Sequence, residues 1–167
     1  SNNVLRNNIM MGNDENFGVE GEELGHFCQD IDTSNTVDGK PIYYLVGEED
    51  RVIDSATNAG YVAAVNSTNI IVKDLTLVNN EEGVLLAYTK DSRIENITAE
   101  DNRYGIDLYN SFNNTVGKIT AENNWSDGIR LRYSSGNTLS DIITKKSLRG
   151  IFLDESSDNA ISNVTAG

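Results

Sequence analysis

The sequence predicts an all-β chain wound as a parallel β-helix. Three observations predict it: a glycine column at near-constant spacing, apolar residues alternating on both sides of that column, and asparagine-rich turns between the apolar segments. Gly60, Gly83, Gly105, Gly128 and Gly150 follow one another at steps of 23, 22, 23 and 22 residues. After each of the last four comes an apolar, variable, apolar triplet: Val84 and Leu86, Ile106 and Leu108, Ile129 and Leu131, Ile151 and Leu153. A period of two is that of a strand with one buried face. A second short strand precedes each glycine, marked by Val72 and Leu75, Ile94 and Ile97, Val116 and Ile119, and Leu139 and Ile142, with Ile161 and Val164 closing the series. Between the strands lie Asn79-Asn80, Asp101-Asn102 and Asn123-Asn124. Asn tolerates the left-handed backbone that tight turns require, so the chain changes direction there.

A unit of this size cannot bury its own apolar face, and no helical stripe is long enough to cover it. The units must therefore stack, with equivalent strands in parallel register about 4.8 Å apart. Val84, Ile106, Ile129 and Ile151 then form one interior ladder, and Leu86, Leu108, Leu131 and Leu153 another. A leucine-rich repeat has a similar period but needs an LxxLxLxxN core that these units lack.

Composition supports one folded domain and excludes several functions. The chain has 167 residues, within the size of a single core. Leu, Ile, Val and Phe make up about a quarter of it, above the roughly 20% below which chains stay disordered. With 13 Lys and Arg against 26 Asp and Glu, the formal charge is −13, which disfavours nucleic acid and anionic membranes as partners. The single cysteine, Cys28, rules out an internal disulfide framework and a four-cysteine metal site. No apolar run approaches the roughly 18 residues of a membrane span, so no membrane insertion is expected in this segment. Asparagine is abundant, at 22 residues. It recurs at fixed offsets beside β-branched residues, as a repeat requires and a low-complexity tract does not.

Along the chain, residues 1–19 read as a first rung, 20–59 as an insertion and 60–167 as regular rungs. The first rung carries Asn3, Leu5, Asn8 and Met10 before a Gly12-Asn13 turn, then Phe17-Gly18-Val19. An interruption without the glycine column is long for a loop and implies structure of its own. Within it, Thr36-Val37-Asp38-Gly39-Lys40 followed by Ile42 to Val46 predicts a hairpin, because Asp-Gly suits the two-residue turns whose twist matches paired strands. Pro41 is then expected on an edge, where its missing donor does least harm. Neither end shows the polar cap of a solenoid, so the segment is expected to be part of a longer array or to associate end to end.

The segments Asn113-Asn114-Thr115-Val116, Asn123-Asn124, Asp127-Gly128-Ile129-Arg130-Leu131 and Asn137-Thr138-Leu139 resemble the right-handed parallel β-helix repeats of NosD-like proteins. That family sits in a wider group of carbohydrate-binding proteins and sugar hydrolases. The stretch Asp30 to Tyr44 is similar to the segment that interrupts the helix in archaeal surface members. The resemblance implies a right-handed solenoid, an extracellular or cell-envelope location, and carbohydrate or another cell-surface component as partner. It also implies an association with copper. It does not fix activity, since this fold carries lyases, epimerases, adhesins and scaffolds alike.

Outward positions of the repeat align Leu85, Asp107, Arg130 and Phe152 in one column and Ala87, Tyr109, Arg132 and Asp154 in the next, with Tyr133 one residue further on. Asp107, Tyr109, Arg130, Arg132, Tyr133 and Asp154 are the carbohydrate-binding candidates: a tyrosine ring stacks on a sugar and the charged groups bond its hydroxyls. The competing reading is a solvated face of paired charges, each pair worth about 0–1 kcal/mol. No histidine lies in the rungs, and no two carboxylates are fixed by spacing as an acid/base pair. Met10, Met11, His26 and Cys28 form the soft ligand set that suits copper(I). Asp30, Asp32, Asn35 and Asp38 place oxygen ligands close in sequence, as calcium requires, but lack the glycine and terminal glutamate of an EF-hand loop, and an Asp/Asn-rich turn is the favoured reading of the same residues. Asn66, Asn96, Asn113, Asn124 and Asn163 begin glycosylation sequons, although the repeat itself generates Asn and Thr at turns, and an inward Asn ladder is structural.

These features together indicate a non-catalytic extracellular or cell-envelope module for display, assembly or carbohydrate binding. A carbohydrate-active lyase, epimerase or hydrolase on the outer face is the principal alternative, and a copper-binding NosD-like protein the second. The stacked core makes its own prediction. Ile129→Asp puts an unpaired charge into a continuous apolar ladder and should unfold several rungs together. A thermal melt followed by circular dichroism checks this, and an unchanged cooperative transition contradicts the inward assignment.

Overall fold

The computed structural model describes residues 2–167 and contains the parallel β-helix that the repeat predicts. The first part of the chain gives β1 (Val4–Leu5), β2 (Ile9–Met10), a one-turn helix α1 (Leu24–Phe27), β3 (Asp30–Ile31), β4 (Thr36–Val37), β5 (Lys40–Val46) and β6 (Val52–Ile53). After a 3₁₀ turn at Ser55–Thr57 come β7 (Tyr61–Val65), β8 (Ile71–Val78), β9 (Glu82–Ala87), β10 (Arg93–Glu100) and β11 (Tyr104–Tyr109). The chain closes with β12 (Thr115–Glu122), β13 (Asp127–Arg132), β14 (Thr138–Lys145), β15 (Arg149–Asp154) and β16 (Ala160–Ala166). The even-numbered strands β6 to β16 stack into one six-stranded sheet. The odd-numbered strands β5 to β15 continue through β4 and β2 into an eight-stranded sheet, and β1 pairs with β3.

Register follows the predicted ladders. Val84, Ile106, Ile129 and Ile151 are Cα partners in successive coils, as are Leu86, Leu108, Leu131 and Leu153. The facing sheet supplies Val72, Leu75, Ile94, Ile97, Val116, Ile119, Leu139 and Ile142 to the same core. Those from Val72 to Ile142 are buried, whereas Leu153, Ile161 and Val164 of the last coil are exposed.

The corners are sealed by three polar ladders running along the stack. The amides of Asn80 and Asn102 donate to the side-chain carbonyls of Asn102 and Asn124, one coil on, at 3.0 and 3.1 Å. At a second corner the amides of Ser92 and Asn114 donate to the side-chain carbonyls of Asn114 and Asn137, both at 2.9 Å. At a third, the amides of Ser67, Thr89, Ser111 and Ser134 donate to the hydroxyls of Thr89, Ser111, Ser134 and Ser156. In each turn pair the first residue takes the left-handed backbone, with φ of 59°, 53° and 55° at Asn79, Asp101 and Asn123, and the second enters the ladder. Turning in so little chain leaves buried amides without strand partners, and these side chains satisfy them.

The glycine column has a different cause. A Cβ at Gly105 would lie 2.4 Å from the Gly128 carbonyl oxygen and 3.0 Å from the Ala121 Cβ. At Gly83, Gly105 and Gly128 the column marks where adjacent coils touch backbone to backbone, whereas Gly60 stands one residue out of it, because Val62 pairs with Val84 and a Cβ at Gly60 would meet the side chains of Val37 and Lys40.

The segment 20–59 contains more of the solenoid than an insertion: β3 and β4 pair in parallel with β1 and β2, β5 with β7, and β6 with β8. The hairpin is present, with Thr36 opposite Pro41, Val37 opposite Lys40, and φ of 46° and 76° at Asp38 and Gly39. Pro41 departs from expectation, because β5 lies inside its sheet. It is tolerated where the β4 ladder asks for no donor: the Ile42 amide bonds Asn35, and the Pro41 carbonyl accepts from Gly60 at 2.9 Å.

The excursion is residues 11–29, between β2 and β3, and it lies across the outer face of the eight-stranded sheet as a strap. Phe27 is fully buried there in a second apolar cluster with Ile42, Tyr44, Tyr61, Leu85 and Tyr109. The Glu81 amide donates to the Phe17 carbonyl at 2.9 Å, and the Tyr44 hydroxyl to the Phe27 carbonyl at 2.6 Å. Burying one such aromatic contributes about 1.5–3 kcal/mol, so the strap is held as a second core is held.

The coil contact at Gly105 is directly testable. Gly105→Ala drives a methyl into backbone that cannot move aside and should cost about 1–3 kcal/mol. Denaturant unfolding measures it, and an unchanged midpoint would contradict the close approach.

Candidate functional site

The six sugar-site candidates all lie on the outer face of β11, β13 and β15 or at its corner, and the structure divides them into a buried group and an open group. Asp107 is opposite Arg130, and Arg132 lies between Tyr109 and Asp154, as the column alignment requires. The strap changes their environment: this part of the face is not a solvated strip. Asp107 is 0% exposed, Tyr109 4% and Arg130 6%.

Asp107 is held from two sides. Arg130 forks onto it, with Nε to Oδ1 at 3.0 Å and Nη2 to Oδ2 at 2.7 Å, and Arg132 Nη2 reaches Oδ2 at 3.1 Å. Arg130 also approaches Glu20 of the strap at 3.4 Å and stacks 3.3 Å above the Tyr104 ring. Burial alone would lower the Arg130 pKa, but the charge of Asp107 and its hydrogen bonds outweigh it and hold the guanidinium above its ordinary value.

Tyr109, Arg132, Tyr133 and Asp154 line a pocket of about 560 Å³ with Asn110 and the strap residues Gly21 and Glu22. The Tyr109 hydroxyl donates to the Glu22 carbonyl at 2.8 Å, which ties the strap to the pocket wall. Tyr109 and Tyr133 meet edge to face with centroids 5.6 Å apart, and Tyr109 continues to Phe27 at 5.1 Å. Arg132 lies 4.8 Å from the Tyr109 ring centroid. The pocket thus pairs aromatic surface with a cation and a carboxylate, which suits a ligand with one apolar face and many hydroxyls.

Under the strap lies a group that period-two reading misses. Glu82 is fully buried; its Oε2 accepts from the Tyr61 hydroxyl at 3.0 Å, and its Oε1 has no partner among the described residues. Burial, then the charges of Asp107 and Glu81, push this carboxyl well above its ordinary value. Burial likewise raises Tyr61. The signal was the residue before each glycine. Pairing passes from Glu82–Tyr104 to Val84–Ile106 without the glycines between, and a Cβ at Gly83 would meet Ala99 and Asn102 of the interior. The glycine therefore breaks the alternation and turns Glu82 to the outer face.

The structure divides the metal candidates between two environments. Met10 and Cys28 pack against the apolar cluster under the strap, while Met11 and His26 are exposed. His26 Nδ1 accepts from the Glu22 amide at 3.2 Å. Among the described residues no three His, Cys, Asp or Glu side chains come together to hold an ion. The calcium candidates have protein partners instead: Asp30 and Asp32 pair with Arg6 at 2.6 and 3.1 Å, Asn35 bonds Asn8 and the Leu5 carbonyl, and Asp38 accepts from Asn16 and Asn79. Of the sequon residues, Asn124 is buried in a corner ladder, and Asn66, Asn96, Asn113 and Asn163 are exposed.

Residues 28–166 match the family model described as periplasmic copper-binding protein (NosD). No curated protein and no solved structure matches the chain.

The buried carboxyl sets a pH dependence. A folded-state pKa above the unfolded value, about 4.3, means the native state keeps a proton that the unfolded chain releases. Its stabilisation is complete below that value and is lost as pH rises toward the native pKa. Glu82→Gln should remove this slope, so melting temperatures of variant and wild type should diverge in the variant's favour from about pH 5 upward. Glu81 is shifted the same way and remains in both proteins. Parallel curves would show that Glu82 is ionised in the fold.

Proposed function

We propose, from the premise that the chain belongs to the NosD family, that it is a non-catalytic β-helix module of the cell envelope that binds carbohydrate in the pocket beside the strap. The observation that carries this reading is the convergence of Tyr109, Arg132 and Asp154, from one sheet column, and Tyr133, from the adjoining corner, around one cavity. The tyrosines supply flat apolar surface for a sugar ring, and the charged pair supplies donor and acceptor for its hydroxyls.

Catalysis on this face is the weaker reading. Asp107, the central carboxylate of the column, is enclosed and held by two guanidiniums, so it offers no face to a bound substrate. Copper handling is weaker for this chain too. The family description names copper, yet the soft ligands here divide between an apolar cluster and solvent. An envelope location agrees with the periplasmic family description and with a strongly acidic surface.

A glycan array probed with the intact protein tests the binding role. Retention of a restricted set of glycans is expected, and Asp154→Ala should weaken it about tenfold, the scale of one lost charge-assisted hydrogen bond. Absence of any glycan binding, with the protein folded, would overturn the proposal.

A further inference from the structure

We infer that the pocket selects a sugar ring bearing a carboxylate, with the carboxylate on Arg132 and the ring face on Tyr133. This inference rests on the carbohydrate reading above and adds the ligand's charge and its orientation. Two independent features point to it, one electrostatic and one conformational.

The electrostatic feature is an arginine whose counter-ion is already taken. Asp107 carries one negative charge, and Arg130 engages both of its oxygens in a fork. Arg132 reaches the same carboxylate by a single bond, so two guanidiniums share one buried carboxylate. Glu20, the other carboxylate of the network, approaches Arg130 and is exposed. The Arg132 side chain is 19% exposed, and its Nε has no acceptor among the described residues. Stacking on Tyr109 offsets part of the charge. That Nε is closed off from solvent, so the demand for a partner comes from the shared counter-ion: a largely buried guanidinium with half a carboxylate is costly unless something else pairs it, and the cavity that Arg132 lines is where that partner enters. Asp154 and Glu22, on the same walls, make no ion pair with Arg132 among the described residues. They are placed to accept hydroxyl hydrogens from the uncharged part of a ligand. A group that meets both demands is a hydroxylated ring with one carboxylate.

The conformational feature is Tyr133. Its corner column holds Asn66, Tyr88, Asn110, Tyr133 and Glu155, all left-handed, with φ of 48°, 53°, 46°, 53° and 45°. Asn fits that backbone readily and a bulky aromatic does not. Tyr88 has a visible return, since it packs on Phe27 and donates to the Glu22 carbonyl at 3.4 Å. Tyr133 is 39% exposed, lines the pocket, and among the described residues meets one aromatic ring, Tyr109. An exposed aromatic kept on an unfavourable backbone beside a cavity is placed there for what it contacts in the bound state.

Isothermal titration with oligogalacturonate and with a neutral galactose oligomer of equal length tests the assignment on the intact chain, with melting temperatures recorded in parallel. Wild type should bind the acidic oligomer at least tenfold more tightly. Arg132→Gln leaves Asp107 in its fork with Arg130 and should abolish the preference while retaining the neutral oligomer. Tyr133→Asn should weaken both oligomers about tenfold and yet melt at an equal or higher temperature, which a merely structural tyrosine would not do. Equal binding of the two oligomers, or a preference that survives Arg132→Gln, overturns the acidic assignment while the carbohydrate reading stands. Undiminished binding by Tyr133→Asn overturns the platform. Failure of folded wild type to bind either oligomer overturns both the charge and the orientation assigned to the ligand, and an array that retains other glycans would leave the broader reading intact.

Discussion

Every other feature of this molecule depends on hydrogen bonding along the stack. Each coil leaves its strand and corner amides unpaired until the next coil arrives with the same side chains in the same place. The Asn, Ser and Thr ladders carry this requirement through the turns, where strands alone would leave amides orphaned. In-register repetition follows from that demand, and apolar ladders follow from in-register repetition. The glycine column is the point of closest approach, where even one methyl cannot be fitted between coils.

The strap converts a uniform surface into a particular one. A bare solenoid exposes outward columns evenly, and opposite charges on them are screened and weak. Residues 11–29 cover part of that surface, and the cover changes the chemistry of the groups below. Asp107 and Arg130 become a desolvated pair, the Glu82 carboxyl is pushed well above its ordinary pKa, and Tyr109 becomes a wall. Along the edge of the strap at Gly21 and Glu22, the next outward residues line an open cavity. The candidate site is therefore a boundary between covered and uncovered coils.

How much of this the sequence reveals depends on whether the determinant repeats. Ile106 and Leu108 announce their burial because their equivalents recur one coil away, and Asn102 and Asn114 announce their ladders in the same manner. The pairing of Asp107 with Arg130 was legible from the column, and so was the Asp38-Gly39 hairpin from its turn residues. The burial of that pair was not, because the strap occurs once and no spacing relates Glu22 to Tyr109 or Glu20 to Arg130. Glu82 escaped for a local reason: the skipped glycine shifts alternation by one, and period-two reading sends the residue to the wrong face. Asp30, Asp32 and Asp38 looked like ligands because sequence lists donors and acceptors without showing that Arg6, Asn16 and Asn79 already occupy them.

The tie between Glu22 and Tyr109 acts as a ruler on how the gene can grow. Solenoids lengthen by duplicating whole coils, and each extra coil displaces every later coil by about 4.8 Å. The strap leaves the stack between β2 and β3 and is fastened midway to β11, so one more coil between β5 and β11 would draw Tyr109 away from the Glu22 carbonyl and open the cavity wall. Duplications beyond β15 leave that span untouched. Descendants of this chain should thus vary freely in coil number on the C-terminal side of the cavity, while the interval between strap and cavity stays constant.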